Sequence, residues 1–259
     1  MRKALLGLTS LLLATYLALC TGLYLMQQSM MYYPQPAASD TPWIGLPGSD
    51  AQVRVAVHED SGAEAVVYFG GNAEDVSRTL PELRQAFPGR ALYLLHYRGY
   101  GGSAGEPGEV ALARDALALF DLAQARHAQV DLIGRSLGSG LAVRVASQRP
   151  VRRLVLVTPY DSLQEIAADL YPWMPVRWLL RDKYESWRYA PRVRAPTVLI
   201  EAEHDQVIPR ASTRQLLGRF APGVAQLVVV PGADHNSVSD DPRYPGLLRG
   251  DRHAAPITP

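Results

Sequence analysis

At 259 residues the chain has room for one α/β domain of ordinary size and an appendage, which excludes two large independent cores. Hydrophobic residues at 47% and charged residues at 20% exclude disorder over most of the length, and a formal net charge of +1 with no basic stripe excludes an electrostatic footprint for nucleic acid. The sole cysteine, Cys20, sits in an apolar N-terminal stretch, so the folded part has no disulfide, thiol nucleophile or cysteine ligand, and no histidine spacing demands a metal.

Residues 4–26 carry no charged side chain. At about 1.5 Å of rise per residue, a helix of that length exceeds the roughly 30 Å hydrocarbon layer of a bilayer. Arg2 and Lys3 precede the run and the next basic residue is Arg54. The positive-inside bias therefore places the N-terminus in the cytoplasm and the rest on the non-cytoplasmic side, periplasmic in a bacterium and lumenal in a eukaryote. Residues 1–33 read as a single-pass anchor, with Tyr24, Tyr32, Tyr33 and Trp43 suited to the far interface. A cleaved signal peptide is the alternative, but its apolar core runs only about 7–15 residues. Leu17-Ala18-Leu19-Cys20 superficially suggests a lipoprotein site, against which the bulky Leu19 argues. Residues 34–50, rich in proline, glycine and small side chains, read as a linker.

Residues 51–250 read as the folded domain. Short β-branched runs at 53–57, 65–69, 91–96, 130–133, 154–158, 197–201 and 227–230 alternate with helical stretches at 73–87, 110–128, 137–147 and 211–220. The last six runs are near-continuously apolar, as parallel strands covered on both faces are, so the pattern predicts a doubly wound, mostly parallel α/β sheet. The longest break in alternation is 160–194, where Ile166, Leu170, Met174 and Trp178 recur every four residues while Pro172 and Pro175 interrupt a single helix. Two short helices forming a lid are expected there, with ordinary core packing as the alternative. Residues 251–259 read as a frayed tail.

Gly134-Arg135-Ser136-Leu137-Gly138 matches G-x-S-x-G between the run at 130–133 and the helix at 137–147. That strand–turn–helix setting is what holds a nucleophilic serine exposed on a sharp turn. The G-K-[ST] of a phosphate loop and the dinucleotide G-x-G-x-x-G are both absent. A serine hydroxyl needs an imidazole to take its proton and a carboxylate to orient that imidazole. Of the six histidines, His235 sits in the glycine-containing loop after the last strand and is the expected base. His253 lies in the Ala/Pro-rich end and His204 stands beside the expected acid. Asp205, past the end of the run at 197–201, is the first choice of acid, with Glu203 second and Asp161 third. Asp234 reads as a loop-stabilising neighbour of the base. A tetrahedral oxyanion needs two backbone N–H donors. Leu137 is the first, and the loop Phe69-Gly70-Gly71-Asn72-Ala73 supplies the second, assigned to Asn72 with Gly71 close behind.

These motifs, together with Tyr97-Arg98-Gly99-Tyr100-Gly101-Gly102-Ser103 and Asp234-His235-Asn236, resemble the α/β-hydrolase superfamily, and within it the membrane-anchored small serine hydrolases that include protein depalmitoylases. The likeness spans residues 50–238. It implies a Ser-His-Asp triad, no cofactor and a single-pass tether. Gly70 stands where that branch usually has histidine. The expected activity is a serine hydrolase cleaving a carboxylic ester or thioester, with the aromatic insertion and the tether favouring a small or lipid-like substrate with an apolar acyl group. A peptidase using the same triad is one alternative, and a catalytically silent membrane-tethered binding module another.

Overall fold

The computed structural model describes residues 1–38 and 40–251; the expected tail at 251–259, and His253 with it, lies outside the described residues except for Asp251. Eight strands form one sheet: β1 Trp43–Gly45, β2 Arg54–His58, β3 Glu64–Phe69, β4 Ala91–Leu95, β5 Gln129–Arg135, β6 Arg153–Val157, β7 Thr197–Ala202 and β8 Ala225–Val230. Their order is β1-β2-β4-β3-β5-β6-β7-β8. The strands from β3 to β8 are parallel, and β2 and β1 extend the β4 edge antiparallel. The period of two along each strand divides its side chains between two cores. In β4, Ala91, Tyr93 and Leu95 enter one core while Leu92 and Leu94 enter the other. This is why the parallel runs are near-continuously apolar rather than apolar at alternate positions.

Helix α1, Arg2–Met31, precedes the sheet. Helices α2 Val76–Ala86, α3 Glu109–Arg126 and α4 Leu137–Ala146 follow β3, β4 and β5 in turn. Leu112, Leu119 and Phe120 of α3 and Leu141 of α4 cover one face of the sheet, and Val76, Leu80 and Leu83 of α2 cover the other. Helix α2 starts three residues later than the apolar pattern predicts, because Asp75 caps it by accepting from the Ser77 N–H at 3.1 Å. Between β6 and β7 lie two short helices, α5 Leu163–Leu170 and α6 Val176–Leu179, in the insertion expected as the lid. Helix α7, Arg210–Leu217, leads from β7 to β8. Helix α8, Tyr244–Arg249, unanticipated from the sequence, places Leu247 and Leu248 against the α2 side.

The segment expected as a linker is packed on the domain. Its β1 pairs Ile44 with Val55, the Arg54 guanidinium lies 4.2 Å over the Trp43 ring, and Leu46 is buried. A three-residue strand among the four residues between Pro42 and Pro47 offers no alternation by which it could be recognised. Tyr32, expected at a membrane interface, is instead buried in the domain, donating to Asp182 Oδ2 at 2.9 Å and lying 2.7 Å from the Tyr184 hydroxyl. By length and composition α1 is long and apolar enough to cross a membrane, and Met31 in its last turn packs against the core of the domain.

Candidate active site

Between β5 and α4 the chain reverses through Ser136, whose φ of 48° and ψ of −116° lie in a region side chains rarely adopt. Its neighbours tolerate the turn because they lack Cβ atoms. A Cβ on Gly138 would stand 2.2 Å from the Phe69 carbonyl oxygen, and one on Gly134 would stand 2.6 Å from the Gly138 carbonyl oxygen. The turn is tied down by the Ser136 N–H donating to Val157 O at 2.9 Å and by Ser139 Oγ donating to Ser136 O at 2.7 Å.

His235 follows β8 and Asp205 follows β7, so both reach the same carboxyl edge of the sheet as Ser136. His235 Nε2 lies 3.0 Å from Ser136 Oγ, and His235 Nδ1 lies 3.0 and 2.8 Å from the two Asp205 oxygens. Asp205 Oδ1 also accepts the N–H groups of Val207 and Ile208, each at 2.8 Å. With an ionised carboxylate on the Nδ1 side, the imidazole carries its proton on Nδ1 and presents the Nε2 lone pair to the serine hydroxyl. Little water reaches the pair: the His235 side chain is 11% exposed and that of Asp205 is 3% exposed. The backbone fixes the two loops to each other through His204 N–H donating to Ala233 O at 2.8 Å.

The other candidates for the acid are engaged elsewhere. Glu203 accepts from the Gly232 N–H at 2.8 Å. Asp161 is paired with Arg219 Nε at 3.3 Å, and its burial, opposed by that arginine, pushes its carboxyl up from the usual range. Asp234 caps its own loop, and the hydrogen bonds it accepts from Ser237 and Asn236 hold its carboxyl below the usual range. His204 is exposed.

The loop after β3 lies against the elbow. A Cβ on Gly71 would be 3.6 Å from Ser136 Cβ, and the Gly138 N–H donates to Gly70 O at 3.2 Å. The Gly71 N–H, one of the two expected donors of the loop, is itself committed to Glu74 Oε2 at 2.6 Å. Glu74 also accepts from Tyr68 OH at 2.8 Å and Thr79 Oγ1 at 2.7 Å. Of the two loop positions, Gly71 thus has its N–H occupied. Leu137, the first residue of α4, has no carbonyl a turn earlier in the helix to occupy its N–H. The Tyr97–Ser103 loop, without an evident chemical role in the sequence, buttresses this arrangement. Tyr97 OH donates to Gly70 O at 2.7 Å and Tyr100 OH to Asn72 Oδ1 at 2.7 Å. The Asn72 amide in turn donates to Met31 O at 2.5 Å, so the end of α1 touches the same loop. At Gly70 a Cβ would stand 2.6 Å from Val76 Cγ1, so Val76 occupies the room that a histidine there would need.

Residues 65–183 match the family model described as the alpha/beta hydrolase fold. An uncharacterized protein of Mycobacterium tuberculosis (strain CDC 1551 / Oshkosh) is 36% identical over 234 residues, which cover 83% of this chain and 83% of that protein. The chain belongs to the α/β-hydrolase family. More distant is the lysophosphatidylserine lipase ABHD12 of Macaca fascicularis, 26% identical over 264 residues that cover 84% of this chain and 65% of the relative. Among solved structures, the Pyrococcus furiosus esterase Pf2001 superposes with a TM-score of 0.68 over 85% of this chain and 96% of its own, at 13% identity, a likeness of fold. In this α/β-hydrolase the residues that sequence reasoning did not single out are Glu74 and Met31, and Tyr100 entered only as part of a motif without a role. Glu74 follows the glycines of the oxyanion loop at a spacing no general motif encodes, and Met31 reaches the site only because α1 docks on the domain.

Proposed function

We propose that the protein is a membrane-tethered serine hydrolase that cleaves a carboxylic ester or thioester with an apolar acyl group. The observation that carries this is the unbroken relay from Asp205 through His235 to Ser136, with hydrogen-bond distances of 2.8 and 3.0 Å. Ser136 Oγ attacks the carbonyl carbon as His235 Nε2 takes its proton, and the oxyanion accepts the N–H groups of Leu137 and Asn72. The bond from carbonyl carbon to the leaving oxygen or sulfur then breaks, with His235 returning the proton to the leaving group. Water attacks the acyl-serine, gives its proton to His235, and the acid leaves as the proton returns to Ser136 Oγ. Asp205 stays ionised throughout and steadies the imidazolium.

Relatives named as lysophosphatidylserine lipases and structural neighbours named as esterases fit an ester substrate. The uncharged run of α1 after Arg2 and Lys3 fits an anchor with residues 51–250 on the non-cytoplasmic side and the lid at 160–194 beside it. Residues 34–50 then act as a docked connector. Hydrolysis of 4-nitrophenyl esters beside a peptide anilide, by wild-type protein and by Ser136→Ala in detergent, tests the reading. Ester turnover that disappears in Ser136→Ala is expected; turnover retained by that variant, or confined to the anilide, would overturn it.

A further inference from the structure

An apolar cavity lies outside the triad, between α1 and the lid. It measures about 380 Å³ and is walled by Leu23, Met30 and Met31 of α1, Ile166 and Leu170 of α5, and Ile208. Such a volume lies at the small end of the range for ligand pockets, roughly 300–1,000 Å³, and suits one chain rather than two. Two of its lining residues are hydrogen-bonded to the site: Ile208 N–H donates to Asp205 Oδ1, and Met31 O accepts from the Asn72 side chain.

The lid also reaches further down α1. Tyr16 OH donates to Trp173 O at 3.1 Å, so the tip of the lid stands level with the middle of the helix. At about 1.5 Å per residue, that is about 15 Å short of the outer end of the uncharged run at residue 26. A membrane crossed by this run would therefore also receive the lid tip. The lid exposes what an interface accepts: Trp178 is 88% exposed, and Leu170, Tyr171 and Trp173 are exposed with it. Helix and lid hold this relation through polar bonds, Gln28 Nε2 donating to Asp182 Oδ2 at 2.9 Å and the Arg181 N–H donating to Gln27 Oε1 at 2.8 Å. The anchor is thus a wall of the domain and not a loose leash.

We infer that the lid dips into the outer leaflet and that the cavity between it and α1 takes the acyl chain of a single-chain membrane amphiphile directly from the bilayer. The inference rests on the reading of Ser136 as nucleophile and α1 as a membrane span, and it narrows the substrate to an ester whose acyl chain resides in lipid. A chain moving from leaflet to cavity gains little from the hydrophobic effect, since both are apolar, so the cavity selects by shape and access.

The test uses full-length Ser136→Ala in phosphatidylcholine nanodiscs with a lysophosphatidylcholine bearing a photoactivatable diazirine near the end of its chain. Crosslinks are expected on cavity residues such as Met30, Ile166 and Leu170, and are expected to be lost in Ala167→Phe and in Leu23→Trp, which fill the cavity from opposite walls. Crosslinks spread along the bilayer-facing surface of residues 5–19, or unchanged by both substitutions, would overturn the inference. In detergent, where soluble esters come from water, the same two substitutions in the otherwise wild-type chain are expected to lower the octanoate-to-acetate ratio of kcat/KM about fifteenfold, the worth of two methylenes at roughly fourfold each. A ratio that does not move overturns the acyl pocket. Cavity crosslinks in a protein that hydrolyses no ester would uphold the pocket and remove the hydrolase reading instead, so the two failures are distinguishable.

Discussion

Replacing Asp205 by asparagine perturbs the relay with almost no change of shape. The asparagine oxygen can still accept the Val207 and Ile208 N–H groups, each now at 2.8 Å, so the loop after β7 keeps its fold. The amide NH2 is then left facing His235 Nδ1, which sits 2.8 Å from the oxygen it replaces. Two donors cannot share that contact, and the retained oxygen, 3.0 Å from Nδ1, is already taken by two backbone N–H groups, so the tautomer with the proton on Nε2 is favoured, which points that proton at Ser136 Oγ and cannot accept the serine proton. Loss of the correct tautomer in a triad of this kind costs about 10⁴ in kcat, or about 5.4 kcal/mol of transition-state stabilisation. Because the backbone hydrogen bonds survive, the melting temperature is expected to move by no more than about 4 °C. Steady-state hydrolysis of a short 4-nitrophenyl ester beside a thermal melt reads both quantities. A loss of less than about tenfold in kcat with an intact melt would refute the orienting role of Asp205.

Gly138→Ala drives a Cβ to 2.2 Å from the Phe69 carbonyl oxygen, backbone that cannot swing aside, and is expected to cost about 1–3 kcal/mol in denaturant unfolding and about 10² in kcat. Glu74→Gln leaves one acceptor where Gly71, Tyr68 and Thr79 now donate to two oxygens, and is expected to lower stability by about 2 kcal/mol and kcat about tenfold or more, with KM for a short ester little changed. At the opposite end of β5, burial pushes the Asp131 carboxyl up, but hydrogen bonds from Arg152 and Arg153 outweigh it and hold the group below its usual range. A depressed native pKa gives stability that is full above the unfolded value and is lost as pH falls through the native one. Asp131→Asn is therefore expected to cost about 3 kcal/mol at pH 7, to cost progressively less as urea unfolding is repeated toward pH 3, and to leave kcat unchanged. A cost independent of pH would count against the ion cluster as its source.

The parallel sheet was legible because each strand feeds two cores, as Tyr93 and Leu94 do on opposite faces, and this writes a continuous apolar run into the sequence. The elbow was legible for a steric reason, since Gly134 and Gly138 have backbone where a side chain would be. What the sequence hid depends on contacts between distant segments. Trp43–Gly45 is a strand only because the β2 edge is there to pair with it, and Tyr32 leaves the interface only because Asp182 and Tyr184 supply partners 150 and 152 residues away. That the Glu74 carboxylate turns back to take the Gly71 N–H is likewise something composition and spacing do not encode. The cavity between α1 and the lid was equally hidden, because its two walls are separate apolar patterns until they are docked.

The relay makes Ser136 the one residue that an electrophile aimed at serine nucleophiles should capture. Reacting the full-length protein in detergent with a fluorophosphonate and mapping the adduct by peptide mass spectrometry measures this directly. A single adduct on Ser136, formed far more slowly in His235→Ala, is expected; an adduct on another residue, or a rate on Ser136 indifferent to the loss of His235, would contradict a triad built from positions 136, 205 and 235.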